Sequence, residues 1–388
     1  MIYYLLCFVC VFLNGYAQEN KDFKRKICLN MIVKNESKII RRGLTTVKPF
    51  IDYWVIVDTG STDGTQEIIK EFMKDIPGEI HERPWKNFEH NRNQALELAK
   101  GKANYILFMD ADEILEFSPN FKMPTLNMDG YDSLIREGGT QYTRTLLIKD
   151  GLDWKWHGVL HEYISAPQAK TFTCLQGIEK ISNREGARSS DPQKYQKDAK
   201  ILEEALKEDP NNSRYVFYLA QTYRDAEDYE PALKNYIKRM SMGGWNQEIF
   251  CAMLQKARLQ EILTKEKETI LKSYYEAYHY RPSRVEPLYY LASYYRSKND
   301  FAKAYLISCV GTNIPLSKDV LFVEKWIYDY GMLLERSVDA YWIGKYEECQ
   351  KISKQLLTYS ELPENIRTVI EQNLIFANAK IAERASQD

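Results

Sequence analysis

Apolar positions in the first half of the chain come in short unbroken runs, whereas those in the second half recur at the spacing of helix turns. Two architectures in series are therefore expected. Ile27-Cys28-Leu29-Asn30-Met31-Ile32-Val33 and Tyr53-Trp54-Val55-Ile56-Val57 are nearly continuous in apolar side chains, as strands are when a parallel sheet is covered on both faces. Residues 37–47 predict a helix between them, and Asp63-Gly64-Thr65 opens another running toward Lys74. Residues 79–82 read as a weaker strand, 88–100 as a helix stopped by Gly101, 104–109 as a third strong strand and 142–148 as a later one. This βαβ alternation predicts a Rossmann-like nucleotide-binding sheet over residues 22–188, with ligands gathered at the carboxyl ends of its strands.

From Asp191-Pro192 the pattern turns helical, and residues 191–388 are expected to form an all-α, tetratricopeptide-like solenoid. Val216, Leu219, Ala220, Tyr223, Ala232 and Tyr236 have the spacing of one helix pair, and Leu288, Leu291, Ala292, Tyr295 and Ala304 repeat it. Ile270, Tyr274, Ala277 and Pro282 fit a degenerate repeat between them, and residues 346–349 echo the pattern once more. Such arrays present concave surfaces, so acceptor or partner binding is expected; a structural extension or homodimer interface is the competing role. Lys plus Arg number 53 against 54 Asp plus Glu, a net charge of -1, which disfavours a nucleic-acid partner. Residues 1–17 are apolar and end in Gly15-Tyr16-Ala17, which suits a cleaved signal peptide although no Lys or Arg precedes the run. Removal of that segment would place the protein in the secretory pathway; otherwise the expectation is cytoplasmic.

Three polar clusters stand at three successive strand ends: Lys34-Asn35-Glu36, then residues 58–65 (Asp58-Thr59-Gly60-Ser61-Thr62-Asp63-Gly64-Thr65), then Asp110-Ala111-Asp112-Glu113. On an extended segment Asp110 and Asp112 would project to one side and offer hard oxygen ligands to Mg2+ or Mn2+, a Lewis acid for a diphosphate leaving group. Carboxylates this close are poorly placed to flank opposite faces of a glycosidic bond, which weakens a hydrolase reading. Gly60 and Gly64 permit tight turns, Asp58 offers an acceptor to a base or ribose hydroxyl, and Asp63 can equally cap a helix. Trp85, Trp154 and Trp156 suit sugar faces or the core.

Met31 to Glu36, Val57 to Thr65, Pro84 to Asn93 and Phe108 to Glu113 together resemble family 2 glycosyltransferases, over about residues 25–165. The resemblance implies a GT-A fold and a nucleotide pocket lined by Asn35, Glu36, Asp58, Arg92 and Asn93, with Gly60 and Asp63 in the same nucleotide loop. It places Asp110 near ribose or metal and makes Asp112 the catalytic metal ligand. Residues 154–163 are similar to this family's closing His-Glu element, so His161 is expected to complete the metal shell and Glu162 to deprotonate an acceptor hydroxyl, thiol or amide. The implied function is inverting transfer from a nucleotide diphosphate sugar, a UDP-sugar, to a protein, peptide or glycan. The alternative is a tetratricopeptide scaffold with an inactive catalytic domain. With every candidate before residue 165, a fragment ending near Ser190 is expected to keep donor binding and slow donor hydrolysis.

Overall fold

The computed structural model describes residues 26–387, so the expected signal peptide at 1–17 lies outside the described residues. The first βαβ units are β1 (Ile27–Val33), α1 (Ile40–Val47), β2 (Tyr53–Asp58), α2 (Thr65–Phe72), β3 (Gly78–Glu82), α3 (Phe88–Ala99) and β4 (Tyr105–Phe108). There follow β5 (Glu113–Phe117), β6 (Gly130–Glu137), β7 (Thr140–Lys149), β8 (Lys155–His157), β9 (Tyr163–Ser165) and β10 (Phe172–Ser182), of which the sequence predicts only β7. Eight strands form one mixed sheet in the order β3-β2-β1-β4-β7-β6-β10-β5, and β8 pairs with β9 separately. β1, β2, β3 and β4 are mutually parallel, which brings their carboxyl ends to one rim.

The unbroken apolar runs arise because both faces of β1 and β2 are covered. Leu29, Met31 and Ile56 pack toward Ile40, Leu44 and Ile69 on one face, and Cys28, Val55 and Phe108 toward Leu96 and Trp154 on the other. Asn30, the polar residue within β1, donates its amide to the carbonyls of Val55 and Ala95, so its burial leaves no unmet donor. Gly101 takes φ +73, the left-handed conformation that ends α3.

The second half is a stack of antiparallel helices: α4 (Lys194–Glu208), α5 (Ser213–Asp225), α6 (Tyr229–Ser241), α7 (Asn246–Ile262), α8 (Lys267–Tyr280), α9 (Glu286–Ser297), α10 (Phe301–Gly311), α11 (Met332–Trp342), α12 (Tyr346–Leu357) and α13 (Glu364–Ala385). Ala220, Ala232, Ala277, Ala292, Ala304 and Cys349 are fully buried, as the small-residue positions of such pairs should be. α4 begins after Asp191-Pro192, whose Asp191 carboxylate takes the N–H of Gln193. Between α10 and α11 a non-helical strap lies along β7: Gln141 and Val323 exchange backbone hydrogen bonds of 2.8 Å, and Thr143 N–H meets Val320 O at 2.9 Å. Arg284, fully buried, ties that strap down by donating to the carbonyls of Leu321 and Phe322. The two halves are thus joined through the sheet as well as through the chain.

Candidate active site

The loops after β1 and β2 are stitched to each other. Asn35, at φ +57, donates its N–H to Ser61 Oγ (2.8 Å) and accepts at Oδ1 from Thr62 N–H (2.8 Å). Glu36 N–H meets Thr65 Oγ1 at 2.8 Å, and Ser37 N–H meets Asp63 Oδ2 at 3.0 Å. The Asp63 carboxylate also takes the N–H and hydroxyl of Thr65; desolvation opposes ionisation there, but these hydrogen bonds outweigh it and hold the group at about 2. Asp58 is fully buried and uses Oδ1 to accept from the N–H groups of Gly60 (2.8 Å) and Ser61 (2.7 Å) while Oδ2 has no partner. Gly60 takes φ +110, which a side chain would strain. Asp58, Gly60 and Asp63 therefore shape the loop, and Thr59 with Asn35 and Glu36 faces the adjoining cleft.

α3 supplies Arg92 and Asn93. Asn93 spends its whole amide on β8, donating to Trp156 O (2.9 Å) and accepting from Trp156 N–H (2.9 Å), and it stands outside the clefts. Arg92 lies buried across the face of Trp156, giving Nη2 to Asp110 Oδ1 (2.6 Å) and Nε to Glu162 Oε1 (2.5 Å). Trp154 and Trp156 are core residues, whereas Trp85 is open at the cleft.

Residues 110–112 form a turn instead of the expected extended segment: Glu113 N–H returns to Asp110 O at 3.2 Å, and Glu113 Oε2 accepts from Asp110 N–H and from Lys180. The two aspartates consequently meet different partners. Asp110 is gripped by Arg92 and by Arg144 of β7 (3.3 Å), and against the opposing desolvation these guanidiniums hold it well below the usual carboxylate range. Asp112 accepts from Gly186 N–H at 3.4 Å; desolvation, then Asp110 and Glu113, raise it. Glu36 accepts from Ala187 N–H, and desolvation followed by Asp112, Asp63 and Asp110 pushes it up to about 7 against that hydrogen bond.

Glu162 is buried, and its Oε1 also receives Arg144 Nη2 at 3.2 Å. Desolvation opposes ionisation, but Arg92 and Arg144 prevail, so the group is a carboxylate at neutral pH. His161 has φ +52 and stacks its ring on Tyr218 of α5 at 3.9 Å and 6°. Desolvation in the crevice, together with Arg214, Arg188 and Arg144, lowers the imidazole to about 3 despite Glu162, leaving it neutral. Among the described residues no three His, Cys, Asp or Glu side chains converge as a metal cage. A hard cation suits the donor set at Asp112 and Glu36, whose carboxylates both approach the Cβ direction of Gly186 (3.3 and 3.4 Å) and of which Asp112 raises Glu36, with diphosphate oxygens completing the coordination.

These groups border two clefts. The larger, of about 1140 Å³, runs over the strand ends past Asn35, Glu36, Trp85 and Asp112 and is walled on its far side by Lys197 and Ile201 of α4. The smaller, of about 480 Å³, lies between Arg144, His161, Glu162 and Tyr163 and the α5 residues Arg214 and Tyr218. Arg92, Asp110, Asp112 and Arg188 line both, so the clefts meet there. Arg144, Arg188, Arg214 and Tyr218 were absent from the sequence expectation. No motif marks Arg144: β4 and β7 pair antiparallel with Leu107 opposite Leu147, and it is the continuation of that register that sets residue 144 across from 110.

Residues 28–121 match the family model Glycosyl transferase family 2. The chain is 26% identical over 238 residues to the SPbeta prophage-derived glycosyltransferase SunS of Bacillus subtilis strain 168, an alignment covering 58% of this chain and 54% of that protein. The chain thus spans about half the length of this curated relative. Over 90 residues it is 37% identical to a TPR repeat-containing protein of Synechococcus elongatus, covering 23% of this chain and 21% of the other. The C-terminal part of a TPR repeat-containing protein from Cytophaga hutchinsonii superposes with a TM-score of 0.40 at 16% identity, covering 50% of this chain and 69% of that one.

Proposed function

From a family 2 glycosyltransferase domain fused to tetratricopeptide-like helices, we infer that the chain moves a sugar from a UDP-sugar to a protein, peptide or glycan acceptor, with inversion. The observation that carries this reading is the meeting of the two clefts at Asp112: one of nucleotide-sugar size at parallel strand ends, the other containing an ionised carboxylate. The donor lies in the larger cleft, its base against Trp85 and its diphosphate beside Asp112. Mg2+ or Mn2+ held by Asp112, with Glu36 beside it, would supply charge neutralisation for the departing diphosphate. Arg92 keeps Asp110 ionised and fixes the wall common to both clefts.

The acceptor enters the smaller cleft, where Glu162 receives the proton of its hydroxyl, thiol or amide as that atom bonds to the anomeric carbon. The bond to the diphosphate breaks on the opposite side, and the nucleoside diphosphate leaves with the electron pair. The neutral His161 ring borders the incoming group without adding charge. Calorimetric titration of UDP into the full chain with Mn2+ tests the donor half of this reading. Binding is expected to require the metal and to weaken about tenfold or more in Asp112→Ala. Equal affinity in the variant, or in excess chelator, would remove Asp112 and the metal from the donor site.

A further inference from the structure

The loop carrying His161 and Glu162 is held both by its own domain and by the helices stacked against it. Gly158 has φ +106 and His161 φ +52, so the chain turns twice through the left-handed region within residues 158–161. A non-glycine residue there costs on the order of 1 kcal/mol or more and persists only where the surroundings over-determine it. The sheet domain contributes Glu89, which accepts Gly158 N–H at 2.7 Å, the Arg92 and Arg144 contacts to Glu162, and the pairing of His157 with Tyr163 across β8 and β9. α5 adds a second set of contacts. Tyr215 Oη accepts Val159 N–H at 3.3 Å, and the His161 ring lies flat on Tyr218. Leu160, 2% exposed, is packed within the helical core beside Phe217. Arg214 grips His161 O with both Nε (3.2 Å) and Nη2 (2.7 Å) while its guanidinium lies 5.1 Å from the Tyr163 ring and 4.9 Å from that of Tyr218. A planar fork on one carbonyl fixes the orientation of that peptide as well as its position.

We propose that Arg214, in the repeat domain, is a positioning residue for the catalytic loop, so that the helices are part of the catalytic apparatus as well as a surface for partners. The proposal rests on the glycosyltransferase reading for its kinetic consequence and on geometry alone for its structural one. With the fork gone, the His161 peptide loses the contact that offsets its left-handed conformation. Residues 158–163 then sample other conformations, and Glu162 is less often placed for the acceptor. Arg214 does not line the donor cleft, to which this segment contributes Val159 alone.

The test compares Arg214→Ala and Arg214→Lys with the wild-type full chain in two measurements. In hydrogen exchange, Arg214→Ala is expected to speed the amides of 158–163 about tenfold or more while those of α6 to α8 stay unchanged. In steady-state release of nucleoside diphosphate, kcat is expected to fall about tenfold or more with the donor KM within about twofold. Arg214→Lys, which keeps the charge but loses the fork, should recover only part of either. Unchanged exchange in 158–163 overturns the proposal, as does a variant that merely melts earlier while its folded fraction keeps wild-type kcat. If the wild-type chain released no nucleotide from any donor, the function would fall, and the exchange measurement would still decide whether Arg214 orders the loop.

Discussion

In the proposed mechanism acceptor activation turns on Glu162, and Arg144 is its least expected partner. Because Arg92 and Arg144 together lower Glu162 against the cost of its burial, removing one of them lets that cost reassert itself. The base is active when ionised, so with donor and Mn2+ saturating, which keeps Glu36 and Asp112 ionised, the acidic limb of kcat against pH marks its titration. Arg144→Ala is expected to raise the Glu162 pKa and move that limb to higher pH, with the alkaline side unaffected. A limb that stays in place would show that another group accepts the proton. Glu36, Asp112 and Glu162 were legible in the sequence because each stands in a compact motif beside an apolar run. Arg144 stands between two threonines of a strand, with no motif around it, and reaches Asp110 only through the pairing of β4 with β7. Arg214 is further removed still, on a helix whose spacing announces packing alone.

Among the elements, the apolar runs specified β1, β2 and β4 because those strands are buried on both faces, and the helical periods specified most of the array. β6 and β10 were hidden because each is partly solvent-facing and mixes charged with apolar residues. The turn at 110–112 was hidden because a buried Glu113–Lys180 pair, formed across the sheet, sets it. The same dependence on distant elements changes the expectation for a fragment ending near Ser190. Without α5 the side chain of Leu160 loses its apolar surroundings, Val159 N–H and His161 O lose their partners, and β7 loses the strap at 320–323. The fragment is therefore expected to lose donor hydrolysis together with transfer, and to show reduced folded signal in circular dichroism. A well-folded fragment that still hydrolyses donor at the full-chain rate would make the array dispensable for the catalytic loop.

For the molecule as a whole, the sheet and the helices are arranged so that each supplies one wall of each cleft: α4 faces the larger and α5 the smaller, with Asp112 where the two spaces join. Sequence motifs located the half with the clustered carboxylates, yet both clefts are completed by side chains from beyond residue 190. An overall charge near zero gives no long-range steering, so under the proposed function acceptor recognition falls to the shape and local chemistry of these walls. The measurement that bears most directly on the central claim is release of nucleoside diphosphate by the full chain from a panel of nucleotide sugars in Mn2+, run beside a folded Asp112→Asn variant. The account predicts release from UDP-sugars that falls about a hundredfold or more in the variant. Release that is equal in both proteins, or nucleotide binding with no release from any donor, would contradict it and return the array to a scaffold carrying an inactive domain.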